Sequence, residues 1–451
     1  MILGRDVDPQ PPADYAARSL GDLQQTPRRK TPKPASKVCS DDDGYAPVEG
    51  ARLDASTAVS RVLVAKGLRA FGDGYVALLL PLYLLDLGFS ALEVGAIATA
   101  TLVGSGVLTL AIGLSAHRHS YRALLIAATV LMAGTGIGFA VVTGFWPLLL
   151  IAVVGTLNPS SGDVSVFLPL EHAVLSRVVD DRKRTAVFAR YSLVGSLAAA
   201  VGSLAAGLPS LVSAQWGWSP RGALQAMFVL YAITAVGIAA IYSGLPRAAT
   251  GEAREAPAPL TKSRARVFTL AALFSVDAFA GGLVVQSLLA LWLFQAHGLS
   301  AATAGTIFFW TGVLSAVSYL IAVRIAKRIG LVNTMVFTHI PANVCLILVP
   351  FAGSLGVVMA LLMVRALLSQ MDVPTRSSYV MAIVLPEERP AAASITAVPR
   401  SLASAASPFI AGWMLGISPF GWPLVAAGAI KIAYDLALLV AFRKIRPPEE
   451  T

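Results

Sequence analysis

The chain has 451 residues, of which 56% are hydrophobic and 13% charged. An ordinary soluble chain is about a quarter charged, so this much apolar surface excludes burial in one soluble core and points to lipid as the solvent. The formal net charge of +10 does not indicate a nucleic-acid partner, because beyond the first segment most Lys and Arg stand in short connections between apolar runs, which is the orientation signal of a membrane protein.

Residues 1–56 are polar, with several Pro, a basic cluster (Arg28, Arg29, Lys30) and an acidic one (Asp41, Asp42, Asp43). That composition cannot bury enough apolar surface to fold alone. It is expected to form a disordered, non-translocated cytoplasmic tail. Apolar runs long enough to span a bilayer, about 20 residues each, follow at 62–86, 91–115, 121–143, 147–172, 185–207 and 222–244. A polar stretch at 246–266 reads as a cytoplasmic linker. Six more runs follow at 267–294, 301–323, 331–352, 355–378, 390–416 and 422–442. The expected organisation is therefore a bundle over 57–245, the linker, a second bundle over 267–445 and a short tail at 446–451. Asn158–Pro159 is expected to loosen the fourth run, because proline removes a helical hydrogen bond.

Basic residues alternate strictly between connections. The even-numbered ones and the C-terminal end carry nineteen Lys and Arg, including Arg118, Arg122, Arg328, Arg376 and Arg389, whereas the odd-numbered ones carry only Arg221. That asymmetry supports twelve spans and places both termini in the cytoplasm.

The chain also repeats itself. Residues 88–118 match 298–328 at a shift of 210, with twelve of the 31 positions identical. Residues 184–207 match 389–412 at a shift of 205, with Ala206–Gly207 meeting Ala411–Gly412. Asp163 meets Asp372 at a shift of 209. Six spans are duplicated in the same order, a known transporter plan.

Residues 113–122, GLSAHRHSYR, stand where the major facilitator superfamily carries a G-x-L-A-D-R-x-G-R motif between spans 2 and 3, and the chain resembles that superfamily over about 60–445. Gly113, Ala116, Arg118 and Arg122 fit the pattern; His117 replaces its Asp and Ser120 its second Gly. VRIAKRIGLV of the second half keeps Ala326, Arg328 and Gly330. Residues 371–392 and SPFIAG (407–412) resemble the multidrug-exporter-like, drug–proton antiporter branch, although the glycines of span 5 lack the Pro of the antiporter motif. The resemblance implies an all-α membrane protein of two six-helix bundles, with a cytoplasmic gate formed by Gly113, Arg118, Arg122 and Arg328. Glu171 is expected to supply Arg118 with the acid that His117 does not.

The resemblance further implies that spans 1, 4, 7 and 10 line a central cavity, and each carries an aspartate: Asp73, Asp163, Asp277 and Asp372. Lys66, Arg69 and Asp73 share one helix face, as do Arg365, Asp372 and Arg376. Arg400 stands mid-span in the eleventh run, as either a cavity cation or a partner for an acid of the same half. Asp73, Asp163, Asp277, Asp372, Arg69, Arg365 and Arg400 are thus the candidate proton-coupling and substrate residues, with Asp277 nearest mid-membrane. The alternative for Asp73, Asp163 and Asp372 is a charge at gate or headgroup level. Lys431 and Asp435, four apart, are expected to pair with each other.

No GxxxxGK[ST] occurs, so no phosphate-cradling loop is available for ATP. The two cysteines and five histidines have no metal-ligand spacing, and no nucleophile–base set is visible. No cofactor and no enzymatic activity are expected. The reading is a secondary transporter of a small organic molecule, driven by protons and working in export, in a plasma membrane or, in a eukaryote, a vacuolar one. Symport or facilitated uptake, and a non-transporting scaffold or sensor, remain open alternatives.

Overall fold

A computed structural model describes residues 46–115, 119–160, 165–179, 181–246, 263–382, 384 and 388–442. Within them the chain forms sixteen α-helices and a short 3-10 turn, Val349–Phe351. The first eight are α1 (Ala46–Asp86), α2 (Ala91–Ser115), α3 (Tyr121–Val141), α4 (Phe145–Val154), α5 (Phe167–Val178), α6 (Asp181–Ala205), α7 (Leu208–Trp216) and α8 (Pro220–Ser243). The second eight are α9 (Arg264–Gly282), α10 (Gln286–His297), α11 (Ala301–Ile329), α12 (Leu331–Leu348), α13 (Leu355–Ser369), α14 (Asp372–Ala382), α15 (Arg389–Ile417) and α16 (Trp422–Phe442). Among the described residues, nine helical stretches are long and apolar enough to cross a membrane, and α4 and α13 are shorter apolar helices. Exposed Val, Leu, Ile and Trp side chains, such as Val141, Trp146, Val236 and Val440, suit a lipid-facing surface that no aqueous solvent would stabilise. Everything described from Val48 onward belongs to one unit.

The helix ends follow their sequence signals. Ser90 opens α2 with a capping box: its hydroxyl accepts from Glu93 N at 3.3 Å, and Glu93 Oε2 accepts from Ser90 N at 2.7 Å. Ser300 caps α11 through Thr303 N at 3.1 Å. Each serine follows by two residues a glycine with positive φ, Gly88 (91°) and Gly298 (59°), a conformation that only glycine adopts cheaply. The repeat at a shift of 210 is thus a repeat of turn geometry as well as of letters.

Three expected runs, the fourth, seventh and tenth, are interrupted, and the fifth is followed by a further short helix beyond its expected end. The fourth stops at Val154, before Pro159, and α5 starts at Phe167; Asn158 Oδ1 accepts from Ser160 N at 3.1 Å and from Ser160 Oγ at 2.7 Å, holding the chain in a local turn that competes with the helix. The seventh breaks after Gly281–Gly282, where a β-carbon on Gly282 would lie 2.3 Å from the Ser404 carbonyl oxygen of α15. The short helix after the fifth starts at Leu208–Pro209, proline being suited to a first turn, and the tenth breaks at residues 370–371. The first helix also begins sixteen residues before its apolar run, at Ala46, inside the segment expected to be polar and unstructured. An α-helix satisfies its own backbone hydrogen bonds, so it can continue past its apolar stretch.

Within the first half α3 packs on α8 and α2 on α4, and within the second α9 packs on α15 and α12 on α16; the two halves meet chiefly through α2 with α15 and α6 with α11. These contacts are as close as backbones allow. A β-carbon on Gly95 would sit 2.6 Å from the Pro408 carbonyl oxygen and 2.9 Å from Gly412 Cα. One on Gly305 would sit 2.3 Å from the Ser203 carbonyl oxygen, and one on Gly207 would sit 3.1 Å from Ala302 Cβ. Gly95 corresponds to Gly305 in the repeat and Gly207 to Gly412, so one contact occurs twice around an approximate two-fold axis. Both copies lie toward the ends of α2 and α11 that follow Ser90 and Ser300, away from the basic connections. Thr99 Oγ1 accepts from Phe409 N (2.9 Å) and Pro159 O accepts from Ser287 N (3.1 Å), adding polar links between the halves.

Gly95→Val should therefore destabilise the detergent-solubilised protein by about 1–3 kcal/mol, the usual cost of overpacking. Gly106→Ala, with nothing within 4 Å of the added carbon, should leave the unfolding temperature nearly unchanged. Equal effects of the two would contradict the close inter-half contact.

Candidate functional site

The first half contains a closed ionic cluster. Arg69 of α1 forks onto Glu171 of α5, with Nη1 to Oε1 at 3.1 Å and Nη2 to Oε2 at 2.7 Å. Tyr242 of α8 donates to Oε1 at 2.5 Å, and Tyr191 of α6 donates to Oε2. Four donors fill the roughly four acceptor positions of a carboxylate. The Arg69 guanidinium also lies over the Phe167 ring at 4.3 Å. Both charged groups are buried, Arg69 at 2% exposure and Glu171 at 0%. Arg118, the partner expected for Glu171, lies outside the described residues; among the described residues the Glu171 carboxylate is met by Arg69, Tyr191 and Tyr242. Glu171 is an internal counter-ion of α1.

Asp73 lies one helical turn further along α1 and differs in kind. Its hydrogen-bond partners are neutral: Tyr231 of α8 at 3.4 Å and Asn158 of the α4–α5 break. Arg69 and Lys66 contribute at longer range. Lys66 stands over the Tyr191 ring at 4.9 Å. Tyr231 also reaches the Thr156 carbonyl oxygen at 3.5 Å, so the break in the fourth run is what brings polar backbone beside Asp73.

The second half holds a wider network. Asp277 of α9 accepts from Arg376 of α14 at 2.8 Å through Oδ2 and from Lys431 of α16 at 2.6 Å through Oδ1. Arg376 also pairs with Asp372 one turn earlier on its own helix. Asp435 of α16 faces His339 Nδ1 of α12 at 2.9 Å and Asn343 Nδ2 at 3.3 Å. The expected Lys431–Asp435 pair is therefore not formed. Helix α16 packs on both α9 and α12, and each of its two charged side chains turns to a different neighbour. His339 and Asn343 escaped the sequence reading although, four residues apart in an apolar run, they share a face. Tyr191, Tyr231 and Tyr242 gave no signal, because aromatic residues are ordinary in such helices.

The remaining candidates are dispersed. Arg365 of α13 is half-buried with its Nε unbonded. Arg400 of α15 is exposed, and its electrostatic neighbours are Arg376, Asp277, Asp372 and Tyr434. Asp163 and Arg118 lie outside the described residues. Gly113 belongs to the last turn of α2, Arg122 is half-buried in the first turn of α3, and Arg328 is exposed in the last turn of α11. Among the described residues no group of three or more His, Cys, Asp or Glu is placed to hold a metal.

Apolar helices in two internally similar halves, with ion pairs buried inside each, define an integral multi-pass membrane protein of transporter architecture. Residues 62–363 match the Major Facilitator Superfamily, and the chain belongs to that family. Over 410 residues it is 22% identical to the Saccharomyces cerevisiae membrane protein YJR124C, covering 83% of this chain and 92% of that one. Solved structures share the fold. A mutant of the nucleoside transporter NupG superposes with a TM-score of 0.68 at 13% identity, over 85% of this chain and 100% of the other. A bacterial homologue of the human lysosomal transporter Spinster, inward-facing and occupied, gives 0.68 at 15% identity over 89% and 99%. The human organic anion transporter MFSD10 gives 0.60 at 15% identity over 85% and 99%. The class is that of secondary transporters rather than enzymes.

Glu171→Gln should destabilise the protein by about 3–5 kcal/mol, because it leaves the Arg69 charge buried without a counter-ion. Arg69→Met combined with Glu171→Leu should recover most of that loss. A thermal-unfolding double-mutant cycle checks this; independent, additive losses would remove the ion pair from the account.

Proposed function

We propose that the protein moves a small organic solute by alternating access, coupled to protons. The observation that carries this is the asymmetry of the inter-half contact. The halves touch by glycine-lined approaches toward one end of α2, α6, α11 and α15, while charged groups of α1, α9 and α14 lie toward the other. Such a contact can act as the pivot for rocking the two halves about a site between them.

Twelve spans follow if α4 with α5, α6 with α7, α9 with α10, and α13 with α14 each count as one interrupted span. The basic connections then favour cytoplasmic termini. On that reading the contact lies on the outer side and the opening faces the cytoplasm, the direction from which an exporter loads. Export is further supported by the likeness of residues 371–392 to exporter-like members. On the same reading Arg122 and Arg328, at the ends of α3 and α11 beside the basic connections, belong to the cytoplasmic gate.

The proton is assigned to Asp73. Its hydrogen-bond donors are neutral, and a carboxylate so placed can lose or gain a proton without breaking an ion pair. Asp277, the nearest to mid-membrane of the four aspartates, is held by two cations and serves to keep α9, α14 and α16 together.

In proteoliposomes enclosing a pH dye, a compound that stabilises the protein should move protons when added. Asp73→Asn should abolish that movement while leaving solute exchange. Asp277→Asn should instead lower stability, since it leaves Arg376 and Lys431 to repel each other. Unaltered proton movement in Asp73→Asn would reassign the coupling. For topology, a membrane-impermeant maleimide should label Cys39 only after the cells are permeabilised.

A further inference from the structure

We infer that the transported solute is a small organic anion and that Arg400 is its counter-ion. The inference rests on the transporter reading above and adds the substrate class to it.

Every described acid within the membrane helices is already satisfied inside its own half. Glu171 takes Arg69 and two tyrosines, Asp73 takes Tyr231 and Asn158, Asp277 takes Arg376 and Lys431, Asp372 shares Arg376, and Asp435 takes His339 and Asn343. Among these groups an acidic cavity awaiting a cationic substrate is not what remains. What remains unjoined to any of these acids is the guanidinium of Arg400. Arg400 lies eleven residues from the start of α15 and seventeen from its end, about three turns or more from either terminus. No hydrogen bond or ion pair joins it to a described acid.

A guanidinium at that depth is costly against hydrocarbon, and Arg400 is exposed. It must therefore face either lipid or water between the halves. Its electrostatic neighbours decide which. Arg376 and Asp372 of α14, Asp277 of α9 and Tyr434 of α16 are buried residues of its own half, so the side chain lies on the inner aspect of the bundle. Asp277 and Asp372 are balanced there by Arg376 and Lys431. Arg400 stands at the edge of that network with no hydrogen bond or ion pair to a described acid. Its planar fork suits a carboxylate, phosphate or sulfonate, which it can bind with two parallel hydrogen bonds.

The test uses the full chain in a neutral detergent, with thermal unfolding in the presence of matched probes. The anions are salicylate, citrate, adenosine monophosphate and glucose 6-phosphate; the controls are adenosine, glucose, choline and tetraphenylphosphonium. At least one anion should raise the unfolding temperature where its neutral or cationic counterpart does not. In Arg400→Gln its affinity should fall about 10- to 100-fold, the range expected for loss of a charged hydrogen-bond partner. Phenylglyoxal labelling of the wild type supplies a second readout that needs no variant: the same anion should protect Arg400 from modification.

Stabilisation by controls alone, by no probe at all, or by an anion bound equally well in a folded Arg400→Gln protein, would overturn the inference while leaving transport intact. So would unimpeded labelling of Arg400 in the presence of a bound anion. If only phosphatidylglycerol in nanodiscs protects Arg400, the group binds a lipid headgroup and the solute class is wrong. An anion that binds through Arg400 yet is never carried into proteoliposomes would leave the site standing and defeat the transporter reading.

Discussion

The fork between Arg69 and Glu171, and its counterpart between Asp277 and Arg376, constrain the rest of this molecule. A charge inside a membrane protein must be neutralised by a neighbour, because lipid offers no substitute for water. In the first half the cation is on the first helix and the acid on the inner fragment of the fourth run. In the second half the signs are exchanged, with the acid on α9 and the cation on α14. Glu171 and Arg376 stand 205 residues apart, the shift that relates the later parts of the two halves. Duplication preserved the place of the bridge but not its polarity, as electrostatics allows, since attraction depends only on the product of the charges.

Each bridge fastens a helix fragment that a break has separated from its span. Helix α5 follows the end of α4 at Val154 and the turn at Asn158–Ser160, and carries Glu171; α14 follows residues 370–371 and carries Arg376. The breaks free backbone polar groups that lipid could not satisfy, and they are tolerated because protein surrounds them. Asn158 ties one of them locally, and the Pro159 carbonyl is met by Ser287 N from the other half. The breaks thereby become places where the two halves and the charged helices communicate. The glycine contacts supply the complementary rigidity: Gly95 against Gly412 and Gly305 against Ser203 bring backbones together without side chains to interlock.

Much of the fold was legible in the letters. Apolar run length located the helices, and the N-cap residues Ser90, Ser120, Ser219, Ser300 and Ser354 fixed several of their starts. The repeat anticipated the matched turns at Gly88 and Gly298. The breaks at residues 283–285 and 370–371 were not legible, because their causes are a close approach of α15 to Gly282 and neighbouring helices that supply what the backbone loses. In the site, the buried charges on α1, α9 and α14 were visible as charges within apolar runs. Their partners were not, as Glu171, Lys431 and Asp435 show.

The sequence by itself determined that this chain is a duplicated bundle of membrane helices carrying a few ionisable groups, since hydrophobicity, turn chemistry and internal repetition are local properties written residue by residue. Only the tertiary structure decided which charge meets which. Periodicity gives the face on which Lys431 or Glu171 lies, but three or four helices compete for every such face. The choice among them is made by distance and by the number of donors a carboxylate can hold. That choice leaves Asp73 hydrogen-bonded to neutral partners and Arg400 without a described acid.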